Sequence, residues 1–143
     1  MVFSAKTSYG LVSLLELAAI FRKGGVLQGG EIAQRQGIPD RYLEQMLASL
    51  RRACIVRSSR GPKGGYQLAR PPAEIRVAEV VQALEGMGST KSLRGGNTPE
   101  HAVLLSLEQR LETARRDILE SATLQDLLEE RDQLAGVEAM YFI

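Results

Sequence analysis

The sequence has no tryptophan, one histidine and one cysteine in 143 residues, and aromatics make up 5% of it. So few aromatics argue against a large aromatic ligand pocket. A single cysteine, Cys54, cannot close a disulfide within the chain and fits a reducing compartment. His101 and Cys54 lie far apart in sequence, so no nucleophile–base set emerges. The scattered acids read as solvated helix faces, and the chain reads as a non-enzyme. Long hydrophobic runs are missing too. The stretch "LVSLLELAAIF" is too short to span a bilayer and Glu16 interrupts it. No convincing signal cleavage site follows it. The expected location is the cytoplasm, with no membrane partner.

What is present is charge, unevenly placed. Residues 1–80 carry 12 Lys and Arg against 6 Asp and Glu, while residues 81–143 carry 6 against 11. The net charge of +1 conceals this. A basic first half and an acidic second half suggest that one half faces a polyanion. The basic excess peaks between Arg41 and Arg70, where seven cations meet one acid, Glu44.

Helical spacing of Leu11, Leu14, Leu15, Ala18 and Ala19 predicts a first helix to about Lys23, capped by Ser4 or Thr7. "KGGVLQGG" breaks it, with a short extended piece at Val26 and Leu27; no phosphate loop fits this spacing. "GEIAQRQG" reads as a short helix with Ile32 and Ala33 inward. Asp40 is the expected cap of "RYLEQMLASLRRA", whose inner face is Leu43, Met46, Leu47 and Leu50. A short helix, a tight turn and a second helix with polar residues near its start form a helix-turn-helix. "CIVRSS" and "GYQLAR" have strand character around the turn "RGPKG", which makes a β-hairpin wing over 55–69.

A helix "VAEVVQALEG" then ends at Gly86, and a polar loop leads to Pro99. In the long helix that follows, Leu104, Leu107, Leu111, Ala114 and Ile118 are spaced three, four, three, four. That is coiled-coil spacing held for about two heptads. A last helix runs from Thr123 to Leu134, stopped by Gly136, and "VEAMYFI" is an apolar tail that must dock. The fold class is mainly α with a small β-hairpin: a winged helix-turn-helix domain over 1–86, a flexible loop over 87–98, and a dimerisation helix with a C-terminal helix over 99–143.

The hairpin puts flexible backbone and dense charge together. Glycine lets backbone amides approach a surface without a Cβ clash. Arg60 and Lys63 add charge, and Ser58 and Ser59 add hydroxyls. The matching surface is a phosphate backbone and, beside a helix-turn-helix, that of double-stranded DNA. Arg60 suits a narrow minor groove. On the second helix, Gln45 can pair with adenine, Arg41 with guanine or phosphate, and Glu44 can accept from cytosine N4. Tyr42 either reaches a phosphate or thymine methyl, or packs against the first helix.

The run "IAQRQGIPDRYLEQMLASLRRACIVRSSRGPKGGYQLARPPAEIRVAEVVQALEG" resembles the Rrf-two family of bacterial winged-helix transcription regulators. The likeness is dense from Ser4 to about Gly86 and looser through the long helix. It implies a homodimer crossed through that helix and bound to imperfect palindromes. By position, it places base reading on Arg41, Tyr42, Glu44, Gln45 and Arg60. Backbone contacts fall on Lys6, Tyr9, Ser58, Ser59, Lys63, Gly64 and Gly65. It also implies a protein partner or small effector as the source of the signal in some members.

Two departures from the family pattern stand out. Cluster-binding members carry three cysteines before the long helix, and residues 86–99 here contain none. A histidine serves as a further ligand near that helix start, and His101 lies in a comparable place. One imidazole without thiolates is a poor metal site, so no cofactor and no metal ligand is expected. The second departure is Cys54, where members usually have glycine. A helix stop there often requires positive φ, which costs a non-glycine residue about 1–2 kcal/mol. Cys54 is read either as a small buried apolar residue or, beside Arg51, Arg52 and Arg57, as a redox thiol.

Overall fold

The computed structural model describes residues 2–86 and 96–141, with side chains as far as residue 136. The loop residues 87–95 and the side chains of the apolar tail from Val137 lie outside that description. Helix α1 spans Ala5–Ile20. Ser4 is its N-cap, with Oγ accepting from the Thr7 N–H at 3.2 Å. Leu11, Leu14, Leu17 and Ala18 form its buried stripe, while Ala19 is exposed. A 3-10 turn over Phe21–Lys23 ends on Gly24 at φ 65°, a left-handed stop.

Helices α2 (Gly29–Gln36) and α3 (Asp40–Arg52) follow. Asp40 does not cap α3. Pro39 is the N-cap, and its carbonyl accepts from the Tyr42 and Leu43 N–H groups at 3.0 and 3.1 Å. Asp40 instead lies inside the first turn, where a carboxylate favours the helix dipole. The inner face is as expected: Leu43, Met46, Leu47 and Leu50 are all buried.

Strands β1 (Val56–Ser59) and β2 (Gly65–Leu68) pair antiparallel, from Val56 opposite Leu68 to Ser59 opposite Gly65. Leu27 adds a third edge. Its N–H donates to Tyr66 O at 3.0 Å and its carbonyl accepts from Tyr66 N at 2.7 Å. This explains two glycines. A Cβ on Gly65 would stand 2.7 Å from the Leu27 carbonyl oxygen, and one on Gly64 would collide with the Ser59 carbonyl.

Helix α4 spans Val77–Glu85 and stops at Gly86, φ 73°. At its start Glu79 accepts from the Arg76 N–H at 2.9 Å and from the Arg70 guanidinium at 3.0 Å. Burial pushes the Glu79 carboxyl up, but these donors outweigh it and hold the group below its ordinary value.

Helix α5 spans Pro99–Ser121, with Thr98 as N-cap and no buried residue along its length. The chain then returns to the core. Val77 N donates to Ala122 O at 2.8 Å and Leu124 N to Ile75 O at 2.9 Å, a short antiparallel bridge. Leu124 opens α6 (Leu124–Tyr141) and is fully buried in the same cluster as Leu14, Leu17 and Ile75. Helix α6 packs along α1. It does not stop at Gly136; an interior glycine costs about 1 kcal/mol, too little to end a docked helix. Among the described residues no helix is long and apolar enough to cross a membrane.

Candidate nucleic-acid interface

The four buried residues of α3 fix which way its other side chains face. Arg41, Tyr42, Glu44 and Gln45 are all exposed, grouped in the first two turns. Arg41 stands three and four positions from Glu44 and Gln45, so the three share one side of the helix. Tyr42 packs against the first helix and is still open to solvent. It is 42% exposed, and its ring lies 6.3 Å from that of Tyr9 on α1. Tyr9 therefore supports α3 and is itself half-buried.

The wing stands beside the end of α3. Arg51 Nη1 approaches Ser58 Oγ at 3.4 Å, which links α3 to β1. Ser58, Ser59, Arg60 and Lys63 are exposed, and Lys6 is half-buried on α1. Gly64 is buried and its N–H donates to Gly61 O at 2.9 Å, so it serves the hairpin turn itself. Among the described residues the ion pairs engage Arg35, Arg70, Arg115 and Arg131. None engages Lys6, Arg41, Arg60 or Lys63, whose charges remain open to an outside anion.

Cys54 is exposed, which removes the reading of it as a small buried residue. It sits in the turn between α3 and β1 at φ 61°. The fold keeps the turn that suits glycine, and the chain tolerates the strain.

Helix α5 presents its apolar residues to solvent. Leu104, Leu107, Leu111 and Ile118 are 39–66% exposed, and Ala114 is exposed with them. His101, in the first turn, is exposed and bonded to the cap of its own helix. Its Nδ1 lies 2.6 Å from Thr98 Oγ1, and its ring packs so tightly over Gly96 that a Cβ there would collide. Among the described residues no three His, Cys, Asp or Glu side chains gather as a metal site.

Sequence reasoning passed over Glu85. It is the last residue of α4, where an acid opposes the helix dipole. That misfit was the available signal. Its carboxylate accepts from Thr7 Oγ1 at 3.0 Å and lies 3.6 Å from Arg115 Nη2 on α5.

The Rrf2 family profile, described as iron-dependent transcriptional regulator, matches residues 3–130. The chain belongs to the Rrf2 family of transcription regulators. The transcriptional regulator CymR of Bacillus subtilis is 35% identical over 127 residues, 89% of each chain. Its solved structure, titled as the global cysteine regulator, has a TM-score of 0.76 and covers 91% of this chain and 98% of that one. The solved IscR of T. potens is 35% identical, with a TM-score of 0.79 over 94% of this chain and 90% of that one. Winged-helix architecture, DNA binding and transcription regulation are thus the coarse description of this Rrf2 protein. The iron in the family description meets a poor donor set here. The chain has one thiol, on the turn between α3 and β1, and one imidazole whose Nδ1 is shared with Thr98. A cysteine-ligated cluster does not fit these residues.

Proposed function

We propose that the chain is a sequence-specific regulator that binds a palindromic operator as a homodimer, without a cysteine-ligated iron–sulfur cluster. The observation that carries this is the α3 surface. Arg41, Tyr42, Glu44 and Gln45 are exposed on a helix whose opposite face is wholly buried, beside a hairpin whose cations form no ion pair among the described residues. Base edges go to Arg41, Glu44 and Gln45, and Arg60 enters the adjacent groove. Lys6, Tyr9, Ser58, Ser59, Lys63 and the Tyr42 hydroxyl hold phosphates, which position the protein without reading sequence. Gly64 and Gly65 let the hairpin close tightly enough to present them.

Homodimerisation is supported by α5, a helix of 23 residues with no buried residue and a leucine-rich stripe in solvent. A second copy is the natural cover. Two reading heads on one rod address half-sites about one helical turn, roughly 34–36 Å, apart. In this reading residues 1–86 form the DNA-binding domain and residues 99–143 the dimerisation part. The acidic half and the loop over 87–98 receive a partner protein or small effector. The protein acts in the cytoplasm. Selection of duplexes from a random pool, with the mass of the complex, tests these points together. A symmetric site bound by two chains is the expected result, and recovery of no common sequence would overturn the reading.

A second reading adds thiol control. The exposure of Cys54 between the reading helix and the wing favours it. Oxidation there would place a polar group beside the phosphate-binding hairpin. Peroxide should then weaken DNA binding of the native chain and spare Cys54→Ser; equal sensitivity removes this reading.

A further inference from the structure

We propose that Glu85 is a positioning residue for DNA binding: it clamps the start of α1 so that Lys6 and Tyr9 stand at the height the phosphates require, and it ties that start to α5. The inference rests on the DNA-binding reading and deepens it. One carboxylate gathers three elements. Glu85 Oε1 accepts from Thr7 Oγ1 at 3.0 Å and from the Ser4 N–H at 3.4 Å. Oε2 lies 3.6 Å from Arg115 Nη2. The Glu85 side chain is 27% exposed, and Thr7 is fully buried.

The electrostatics explain the choice of residue. At the end of α4 a carboxylate faces the negative end of its own helix dipole. Here it also faces the positive, amide-rich start of α1 and a guanidinium, so the unfavourable end is offset by two favourable partners. The packing below leaves no slack. Gly10, one turn after Lys6, lies against Leu84 so closely that a Cβ would collide with it. The first turns of α1 therefore follow α4. Lys6 is the neighbour of Thr7 in sequence, and Tyr9 two positions on packs on Tyr42 of the reading helix. Side-chain contacts link Arg115 to Glu85 and Glu85 to Thr7, and the backbone of α1 carries the link on to Tyr9, which packs on Tyr42. Such a series carries coupling only if its members prove energetically coupled.

The test is DNA affinity against salt concentration, on a duplex recovered by the wild-type chain from a random pool and on a random-sequence duplex. Loss of one phosphate contact makes the negative slope of log K against log salt shallower by about 0.9. Glu85→Ala should weaken both duplexes about five- to tenfold at roughly physiological salt and reduce the slope by about that amount. In a Lys6→Ala background Glu85→Ala should weaken binding less than it does alone and leave the slope unchanged, because the charge it positions is already gone and only the uncharged Tyr9 contact remains. Glu85→Gln keeps an acceptor for Thr7 and Ser4 and should retain the wild-type slope. If Glu85→Ala does not fold, Thr7→Val removes the same donor and is read in the same way. An unchanged slope with only a lowered Tm, or multiplicative effects with Lys6→Ala, would make Glu85 merely structural and overturn the proposal. A wild-type chain that binds neither duplex would instead defeat the DNA-binding reading, and the inference with it.

Discussion

The rings of Tyr9 and Tyr42 lie 6.3 Å apart at an interplanar angle of 45°. This pair joins α1 to the exposed face of α3, which the buried leucines alone do not do. Aromatic pairs of this kind contribute about 0.5–1.5 kcal/mol beyond their buried area. Tyr9→Ala should therefore cost roughly 2–3 kcal/mol in denaturant unfolding, the pair and the lost packing together. Tyr42→Phe keeps the ring and drops the hydroxyl. It should leave stability within about 0.5 kcal/mol and weaken binding to all duplexes alike. Weakening confined to one sequence would mean that the hydroxyl reads a base.

Cys54 holds φ 61° in a turn that suits glycine. Relief of that strain is worth about 1–2 kcal/mol, and the extra unfolded-state freedom of glycine takes back about 0.4–1. Cys54→Gly should thus raise stability by roughly 0.5–1 kcal/mol. A loss of stability in thermal unfolding would show that the thiol makes a compensating contact.

Helix α5 has no buried residue, and Leu107 and Leu111 are 46% and 62% exposed in the single chain. Leu107→Asp or Leu111→Asp should leave the reading head folded, yet shift sedimentation toward the monomer and weaken operator binding by at least tenfold. Variants that remain dimeric and bind normally would place the dimer contact elsewhere.

Glu79 is held below its ordinary carboxylate pKa by the Arg76 amide and the Arg70 guanidinium, against the opposing effect of burial. A depressed folded pKa gives stability that is present above the unfolded value, about 4.3, and is lost as pH falls through the folded one. The Glu79 side chain is 41% exposed, so the contribution stays within about 1 kcal/mol. Glu79→Gln should be less stable than the native chain near pH 7 and indistinguishable from it in strong acid. A deficit that persists at low pH would assign the effect to packing.

Much of this was legible in the residues. The apolar faces of α1 and α3 follow from 3.6-residue spacing, and the wing follows from strand formers around "RGPKG". Two of the local readings that went astray did so for plain physical reasons. Asp40 looked like a cap, but Pro39 has the extended backbone an N-cap needs, so α3 begins one residue earlier in effect. Gly136 looked like a stop, but packing of α6 on α1 outweighs its propensity. The tie from Ile75 and Val77 to Ala122 and Leu124 joins residues nearly fifty positions apart, and no local pattern announces it. Glu85 was silent for the same reason: its partners come from α1 and α5.

The most direct measurement is competition between a selected duplex and random-sequence DNA across a salt series, with the mass of the bound species. Two chains per duplex, a steep negative salt slope, and preference for the selected site by at least about a thousandfold are predicted. Gln45→Ala should erode that preference, while Lys63→Ala should weaken both duplexes equally. Binding that ignores sequence, or one chain per site at full affinity, would contradict the account.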